Sequence, residues 1–169
     1  TVIVSNGFVN TEPLRELTEL IDAFNIDLKS FNNDFYKKIT GAEIKPVLEA
    51  LKQITRSGRH LEITTLIIPG QNDSEDEMKK LSNWIAGELG KNVPLHISRY
   101  FPRFKRNDPA TPEETIKKLY SKAAGVLDYV YLGNTALDIG QNTNCNKCGN
   151  LVIRRSGYST MITGLDNEG

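Results

Sequence analysis

Cysteine is scarce in this chain of 169 residues, which contains only Cys145 and Cys148. Two thiols three positions apart cannot cross-link distant segments, so we expect a reduced, cytoplasmic protein rather than a disulfide scaffold. Long apolar runs are also missing, because no segment approaches the roughly 18 consecutive apolar residues of a membrane helix. Neither charge sign is in excess, with 21 basic and 21 acidic residues. We therefore expect neither a membrane nor a nucleic acid as a partner.

Apolar runs typical of strands alternate with segments of helical periodicity over residues 1–133. We predict a buried strand at residues 2–4 and further strands at 25–29, 61–68, 95–100 and 126–132. Capping boxes predict that helices begin after Ser74 and after Thr111. Strands separated by helices of about ten residues or more indicate βαβ units, and hence an α/β fold with a parallel sheet.

The character of the chain changes after Gly133, so we divide it into residues 1–133 and a small tail at 134–169. The tail contains Cys145-Asn146-Lys147-Cys148-Gly149 and then two short strand patterns with Gly157 at their turn, which predicts a β-hairpin. The Cys-x-x-Cys spacing is that of a metal knuckle, half of a four-ligand zinc site. Since no other cysteine is present, we interpret Cys145 and Cys148 as a metal half-site, with a plain hairpin turn as the alternative.

Four consecutive predicted strands end in polar or Gly-containing groups. In parallel α/β folds the carboxyl ends of the strands meet at one edge, where ligands bind. We therefore predict a common polar pocket, and the residues that we expect to bind a cofactor there are Ser5, Asn6, Asp27, Lys29, Pro69, Gly70 and Arg99.

Each of these features also has a plainer explanation. Asp27 and Lys29 lie two apart on a strand and share a face, so they form either part of a pocket or a structural ion pair. Arg103, Lys105 and Arg106 lie in the loop at 101–110; such a cluster binds an anionic partner or is simply solvated. His96 alternates with apolar residues, which favours a packed core residue over a ligand.

The ordered motifs resemble those of the radical SAM enzymes. The strand ends from Ser5 to Arg99 resemble pyruvate formate-lyase activating enzymes. The chain resembles the AmmeMemoRadiSam-system radical SAM proteins more closely, over almost its whole length. The segments that carry this second resemblance are 69–73 (PGQND), 96–102 (HISRYFP), 131–134 (YLGN), and the tail from Cys145 to Tyr158.

The resemblance implies that residues 1–133 are the C-terminal strands of a partial (β/α)6 TIM-like barrel, followed by the CxxC hairpin tail. It implies S-adenosylmethionine (SAM) and a [4Fe-4S] cluster as cofactors, with a flavodoxin or ferredoxin as reductant. The whole enzyme would cleave SAM reductively to a 5'-deoxyadenosyl radical, which takes hydrogen from an unknown substrate, with a protein as one candidate. Asp27 and Lys29 would line the SAM side of the pocket near Ser5 and Asn6, and Pro69 and Gly70 would form a backbone wall.

Two further features bear on this resemblance. The family's cluster loop, CxxxCxxC, has no counterpart here, and the chain opens at Thr1 directly on a strand, so we expect an inactive C-terminal fragment. Val4, Thr64 and Phe101 replace residues that pyruvate formate-lyase activating enzyme uses for a cation and its substrate. A glycyl-radical partner therefore does not follow from the resemblance.

Two other functions fit the same residues. The first is a Schiff-base aldolase with Lys29 as nucleophile and Asp27 as proton shuttle. The second is a non-catalytic α/β scaffold whose zinc-knuckle tail docks a partner protein.

Overall fold

A computed structural model describes residues 1–165, and the last four residues of the predicted tail lie outside this range. Its main sheet has five parallel strands in sequence order: β1 (Val2–Ser5), β2 (Ala23–Asp27), β3 (His60–Ile67), β4 (Leu95–Arg99) and β5 (Val130–Gly133). The sheet is open rather than closed into a barrel. This confirms the predicted parallel α/β architecture, with strand ends shifted by up to four residues.

Helices connect the strands and cover one face of the sheet. They are α1 (Thr11–Leu20), α2 (Asn33–Phe35), α3 (Ile44–Arg56), α4 (Glu75–Glu88) and α5 (Glu113–Ala124), with a π-helical turn at Tyr36–Thr40 directly after α2. No helix within residues 1–165 is long and apolar enough to cross a membrane.

The first residues of α4 and α5 show whether the two predicted capping boxes form. The Ser74 hydroxyl accepts a hydrogen bond from Glu77 N at 3.2 Å, which confirms the first. The second prediction was wrong, because Pro112 is the N-cap of α5 and makes no side-chain cap bond. Thr111 is fully buried and instead accepts from Tyr100 N and donates to Ile67 O at 2.6 Å. Its hydroxyl joins β3 to β4 rather than opening a helix.

The core lies between the sheet and the helices. Alternate residues of the strands point toward the helices and are buried, as the period of two requires. The largest fully buried side chains from strands and helices are Phe24, Ile26, Leu28, Leu51, Ile54, Ile63, Ile67, Ile85, Leu95, Ile97, Ile116 and Leu119.

The opposite face of the sheet, here called the open face, carries polar side chains. From β2 to β5 it presents Asn25, Asp27, Glu62, Thr64, His96 and Tyr131, which stand in register across the strands. The prediction of a buried first strand was wrong, because Val2 and Val4 are 67% and 76% exposed. β1 is an edge strand, and among the described residues no element covers its open face.

The tail forms a second, antiparallel sheet of β6 (Thr143–Asn144), β7 (Leu151–Ser156) and β8 (Ser159–Ile162). β7 and β8 are the predicted hairpin, with Ser156 paired with Ser159 across the turn. The boundary at residue 134 stays a prediction.

Candidate functional site

The predicted site residues end neighbouring strands along one edge of the main sheet. Ser5 pairs with Ile26, Asp27 with Thr64, and Ile67 with Arg99. The polar strand ends therefore lie side by side, at the edge where parallel sheets place their ligands.

Asp27 and Lys29 form an ion pair at this edge. Lys29 Nζ donates to the Asp27 carboxylate at 2.7 Å, and the two side chains are 39% and 36% exposed. Asp27 lies on the open face of β2, and Lys29 follows two residues later. A ligand can therefore reach a fixed negative group and a fixed positive group within one hydrogen-bond length of each other.

Three side chains from other elements hold the backbone around Lys29. The Tyr36 hydroxyl accepts from Lys29 N at 3.1 Å, and the Asn72 amide donates to Lys29 O at 2.6 Å. The Glu77 carboxylate accepts from the Phe31 N–H at 2.8 Å. Burial raises the pKa of Tyr36 to about 12, so its phenol is neutral. Because the backbone of Lys29 is held on both its N–H and its carbonyl, the ion pair starts from a fixed strand end.

Asn72 also shapes the Pro69-Gly70 turn. It is 5% exposed, its second amide hydrogen goes to Leu66 O at 2.9 Å, and its carbonyl accepts from Ile68 N at 2.7 Å. The exposed Gly70 has φ +70°, which glycine adopts readily. Pro69 and Gly70 therefore lie at the predicted edge. The sequence did not predict the roles of Asn72, Tyr36 and Glu77, although Asn72 lies in the 69–73 segment (PGQND) that carries the family resemblance.

Ser5 and Asn6 organise the turn after β1. Ser5 Oγ accepts from Gly7 N at 3.1 Å, and Asn6 Oδ1 accepts from Phe8 N at 3.0 Å. A Cβ at Gly7 would lie 2.7 Å from the Ile26 side chain, so this turn requires glycine. Asn6 and Lys29 line one pocket of about 340 Å³, together with Phe8 and Tyr36.

Arg99 has a different environment from the other predicted residues. Its guanidinium donates to Thr111 O at 2.6 Å and to Glu113 at 3.0 Å. It lines a second pocket at the same edge, two strands away from Lys29. The structure thus groups Asn6, Asp27 and Lys29, and separates them from Arg99.

A second polar cluster lies toward the amino ends of the strands. Glu62 on the open face accepts from His96 Nε2 at 2.9 Å and contacts His60 Nε2 at 3.1 Å. The hydrogen bond from His96, followed by that from His60, lowers the pKa of Glu62 to about 2 against the opposing effect of burial. The interpretation of His96 as a packed core residue was wrong. It stands on the open face, where its ring stacks on Tyr131 at 5.3 Å.

Tyr131 connects this cluster to the tail. Its hydroxyl bonds Thr143 Oγ1 at 2.7 Å, and the Arg155 guanidinium lies 5.3 Å from its ring centroid. Arg155 also donates to the same Thr143 oxygen at 2.7 Å. These contacts anchor the tail sheet against β5, beside a pocket of about 500 Å³.

Cys145 and Cys148 occupy the turn between β6 and β7. Gly149 N donates to Cys145 O at 2.8 Å, closing a tight turn at the pair. Backbone N–H groups of Cys148 and Lys147 lower the pKa of the Cys145 thiol. Residues 1–165 contain no group of three or more cysteine, histidine, aspartate or glutamate side chains placed to hold a metal. The two cysteines thus share a tight turn, and the described part of the chain places no further metal ligands beside them.

Sequence comparison relates the chain to a known superfamily and to proteins of known sequence. Residues 1–82 match the model of the radical SAM superfamily. The chain is 41% identical over 169 residues to the uncharacterized protein MJ0808 of Methanocaldococcus jannaschii, covering 99% of this chain and 50% of that protein. The first half of the chain is therefore similar to the radical SAM superfamily.

The chain is also similar in sequence to activating enzymes. It is 28% identical over 116 residues to pyruvate formate-lyase 1-activating enzyme of Escherichia coli, covering 68% of this chain and 47% of that enzyme. A domain of pyruvate-formate lyase-activating enzyme from Bacteroides vulgatus superposes with a TM-score of 0.67 at 15% identity, over 77% of this chain and 79% of that one. The chain thus spans about half the length of the curated relatives that it matches.

Proposed function

We propose that this chain supplies the SAM-positioning edge of a radical SAM enzyme related to pyruvate formate-lyase activating enzyme. The reaction class is reductive cleavage of SAM followed by hydrogen abstraction from a substrate. The relation to activating enzymes supports a protein as that substrate. The observation that carries the proposal is the clamped Asp27–Lys29 pair at the carboxyl edge of a radical SAM sheet.

The strand-end residues fit the polar groups of SAM in kind. SAM carries a carboxylate, an ammonium group and a sulfonium cation, and this edge offers the Lys29 ammonium beside the Asp27 carboxylate. The Asn6 side chain and the exposed turn at Pro69 and Gly70 add hydrogen-bonding and backbone surfaces at the same edge. We propose that these residues bind and orient SAM. A fixed strand end serves this role because less ordering of the protein is needed when the ligand binds.

The residues of this chain do not fit the cluster. A [4Fe-4S] cluster is held by cysteine thiolates. The chain has two cysteines, both in the tail, and the main sheet has none. We therefore assign no cluster ligand to this chain, and its own contribution to the reaction is the binding and orientation of SAM.

Two further assignments belong to the proposal. We propose zinc as the metal for the Cys145–Cys148 knuckle, because two thiolates at this spacing form half of a tetrahedral site. We propose a flavodoxin or ferredoxin as the reductant, which the reaction class requires. A glycyl-radical protein is not assigned as the substrate, since Val4, Thr64 and Phe101 stand where the activating enzyme has functional residues.

The Schiff-base alternative has weaker support. The tail with its Cys145–Cys148 pair has no role in that reaction, and Lys29 Nζ is engaged by the Asp27 carboxylate at 2.7 Å. Trapping of a carbonyl compound on Lys29 by borohydride would nevertheless restore this alternative.

The proposal is tested by SAM binding to the complete polypeptide that contains this chain, reconstituted with iron and sulfide without oxygen. We expect Lys29→Met to weaken SAM affinity about tenfold, because one charge-assisted contact is lost. Lys37→Met is the matched control, since Lys37 is an exposed lysine of the π-helical turn. Equal SAM affinity in the two variants would contradict the role given to Lys29.

A further inference from the structure

A pocket of about 500 Å³ lies at the carboxyl ends of β3, β4 and β5. It is on the same edge of the sheet as Lys29, but Lys29 follows β2 and does not line it. Its lining consists of Leu66, Arg99, Tyr100, Phe101, Arg103 and Asn134. None of the predicted SAM-binding residues other than Arg99 belongs to it. The pocket is therefore a separate compartment of the same edge of the sheet.

The charged groups of the lining are both arginines. Arg99 is partly neutralised by Glu113 at 3.0 Å, and its guanidinium faces the Phe101 ring at 4.8 Å. Arg103 is exposed and forms no ion pair with any of the described residues. Since no carboxylate lines the pocket, its electrostatic potential favours an anion.

The neighbouring cations of the same loop differ from Arg103. Arg106 pairs with Asp108 at 2.8 Å, and this carboxylate raises the pKa of Arg106. Lys105 lies 5.5 Å from the centroid of the exposed Phe104 ring. Neither residue lines the pocket. Of the basic loop cluster, only Arg103 lines the pocket.

Tyr100 lines the pocket, but its hydroxyl is shielded from solvent and lies near the Arg106 guanidinium, outside the open volume of the pocket. The residue is 6% exposed, and its hydroxyl is buried without a hydrogen bond of normal geometry within the described chain. The Arg106 guanidinium is close enough for the Tyr100 oxygen to contribute to its raised pKa, but the two groups do not form such a bond. A buried hydroxyl without a partner costs about 1–3 kcal/mol, so such groups are rare in proteins.

Asn134 closes the pocket in an uncommon backbone conformation. Its φ is +57°, one of two positive values among the described non-glycine residues. The conformation points its amide to Arg99 O at 3.2 Å. Asparagine adopts this conformation more readily than most residues, so the turn holds the Asn134 amide against Arg99 at the rim of the pocket without marked strain.

We propose that this pocket binds an oxyanion, a carboxylate or phosphate group of the substrate, with Arg103 as the contacting residue. The assignment to the substrate, rather than anion binding itself, rests on the proposed function. It narrows the substrate class to molecules or protein segments that carry an anionic group near the hydrogen to be abstracted.

The test is a titration of the full chain with inorganic phosphate and, separately, with acetate, followed by NMR of arginine Nε–H and asparagine amide signals. Sodium chloride at equal ionic strength is the control for screening. We expect a saturable shift of the Arg103 and Asn134 signals with at least one anion. The anion that binds with the higher affinity identifies the pocket's ligand as a phosphate or a carboxylate group. Shifts that match those in sodium chloride would overturn the proposal.

Three variants assign the contacts. Arg103→Gln should weaken the affinity for the anion about tenfold, whereas Lys105→Gln, its control in the same loop, should leave it unchanged. Tyr100→Phe should leave anion binding unchanged and the urea midpoint unchanged or higher, because the hydroxyl that it removes is buried, unpaired and outside the open volume of the pocket. Weaker anion binding by Tyr100→Phe would contradict Arg103 as the contacting residue.

SAM itself carries a carboxylate, so its competition with the anion separates the two possible sources. Addition of SAM should leave the phosphate or acetate shifts in place if the pocket serves the substrate. Displacement by SAM would overturn the assignment to the substrate and give the pocket to the cofactor. Loss of the Lys29 effect on SAM affinity would instead contradict the proposed function and leave the anion titration standing.

Discussion

Replacement of Asn72 by alanine should loosen the carboxyl ends of two neighbouring strands at once. Asn72 is 5% exposed and makes three hydrogen bonds of 2.6–2.9 Å, two to carbonyls of Lys29 and Leu66 and one from the Ile68 N–H. At about 1 kcal/mol for each bond, the free energy of unfolding should fall by about 3 kcal/mol. That is a large part of the 5–15 kcal/mol typical of a domain.

Urea denaturation measures this loss, and two further variants identify its cause. Asn72→Asp keeps the side-chain volume and the acceptor but removes both N–H donors, so at neutral pH it should cost as much as alanine or more. Gln71→Ala is the control, because Gln71 is exposed in the same turn. A loss below about 1 kcal/mol for Asn72→Ala, or a harmless Asn72→Asp, would refute the role of the amide in holding these strand ends.

Three other predictions concern the polar contacts elsewhere. The hydrogen bond from His96 depresses the pKa of Glu62 to about 2, so Glu62 contributes stability above about pH 4.5 that is lost as the pH falls toward 2. Glu62→Gln should reduce the loss of unfolding free energy between about pH 4.5 and pH 2 by roughly 2 kcal/mol, as measured by urea denaturation. An unchanged loss of stability at acid pH would contradict this. Thr111→Val should cost about 2 kcal/mol in the same assay, whereas Thr111→Ser should retain most of the stability, and equal losses would exclude the hydroxyl as the cause. Arg155→Met should accelerate amide hydrogen exchange in β6–β8 but not in the main sheet, and the control Arg154→Met should leave exchange in both sheets unchanged. Equal acceleration of exchange in both sheets would disprove anchoring through Arg155.

The parallel sheet could be predicted because each strand and each connecting helix leaves a local pattern. The run from Leu61 to Ile67 is rich in β-branched residues, and the Ser74 capping box opens α4 as expected. Local pattern does not say whether the second face of a strand is covered. Val2 and Val4 therefore appeared buried in the sequence and are exposed in the structure.

The candidate site was predictable only in part. The rule that ligands bind at the carboxyl ends of parallel strands located Asp27 and Lys29 on the correct edge, and their spacing indicated a shared face. Partners that are distant in sequence left no such signal. Asn72 contacts Lys29 across 43 positions, and Glu62 contacts His96 across 34. Alternation with apolar residues favoured a packed core position for His96, because a local pattern could not show the Glu62 carboxylate that lies beside it on the open face.

Reductive cleavage of SAM tests the central claim most directly. The measurement is made on the complete polypeptide that contains this chain, reconstituted anaerobically with iron and sulfide and supplied with dithionite. We predict about four irons per complete polypeptide and formation of 5'-deoxyadenosine, as [4Fe-4S] radical SAM chemistry requires. A folded, complete protein that binds no cluster and leaves SAM intact would contradict the proposed function.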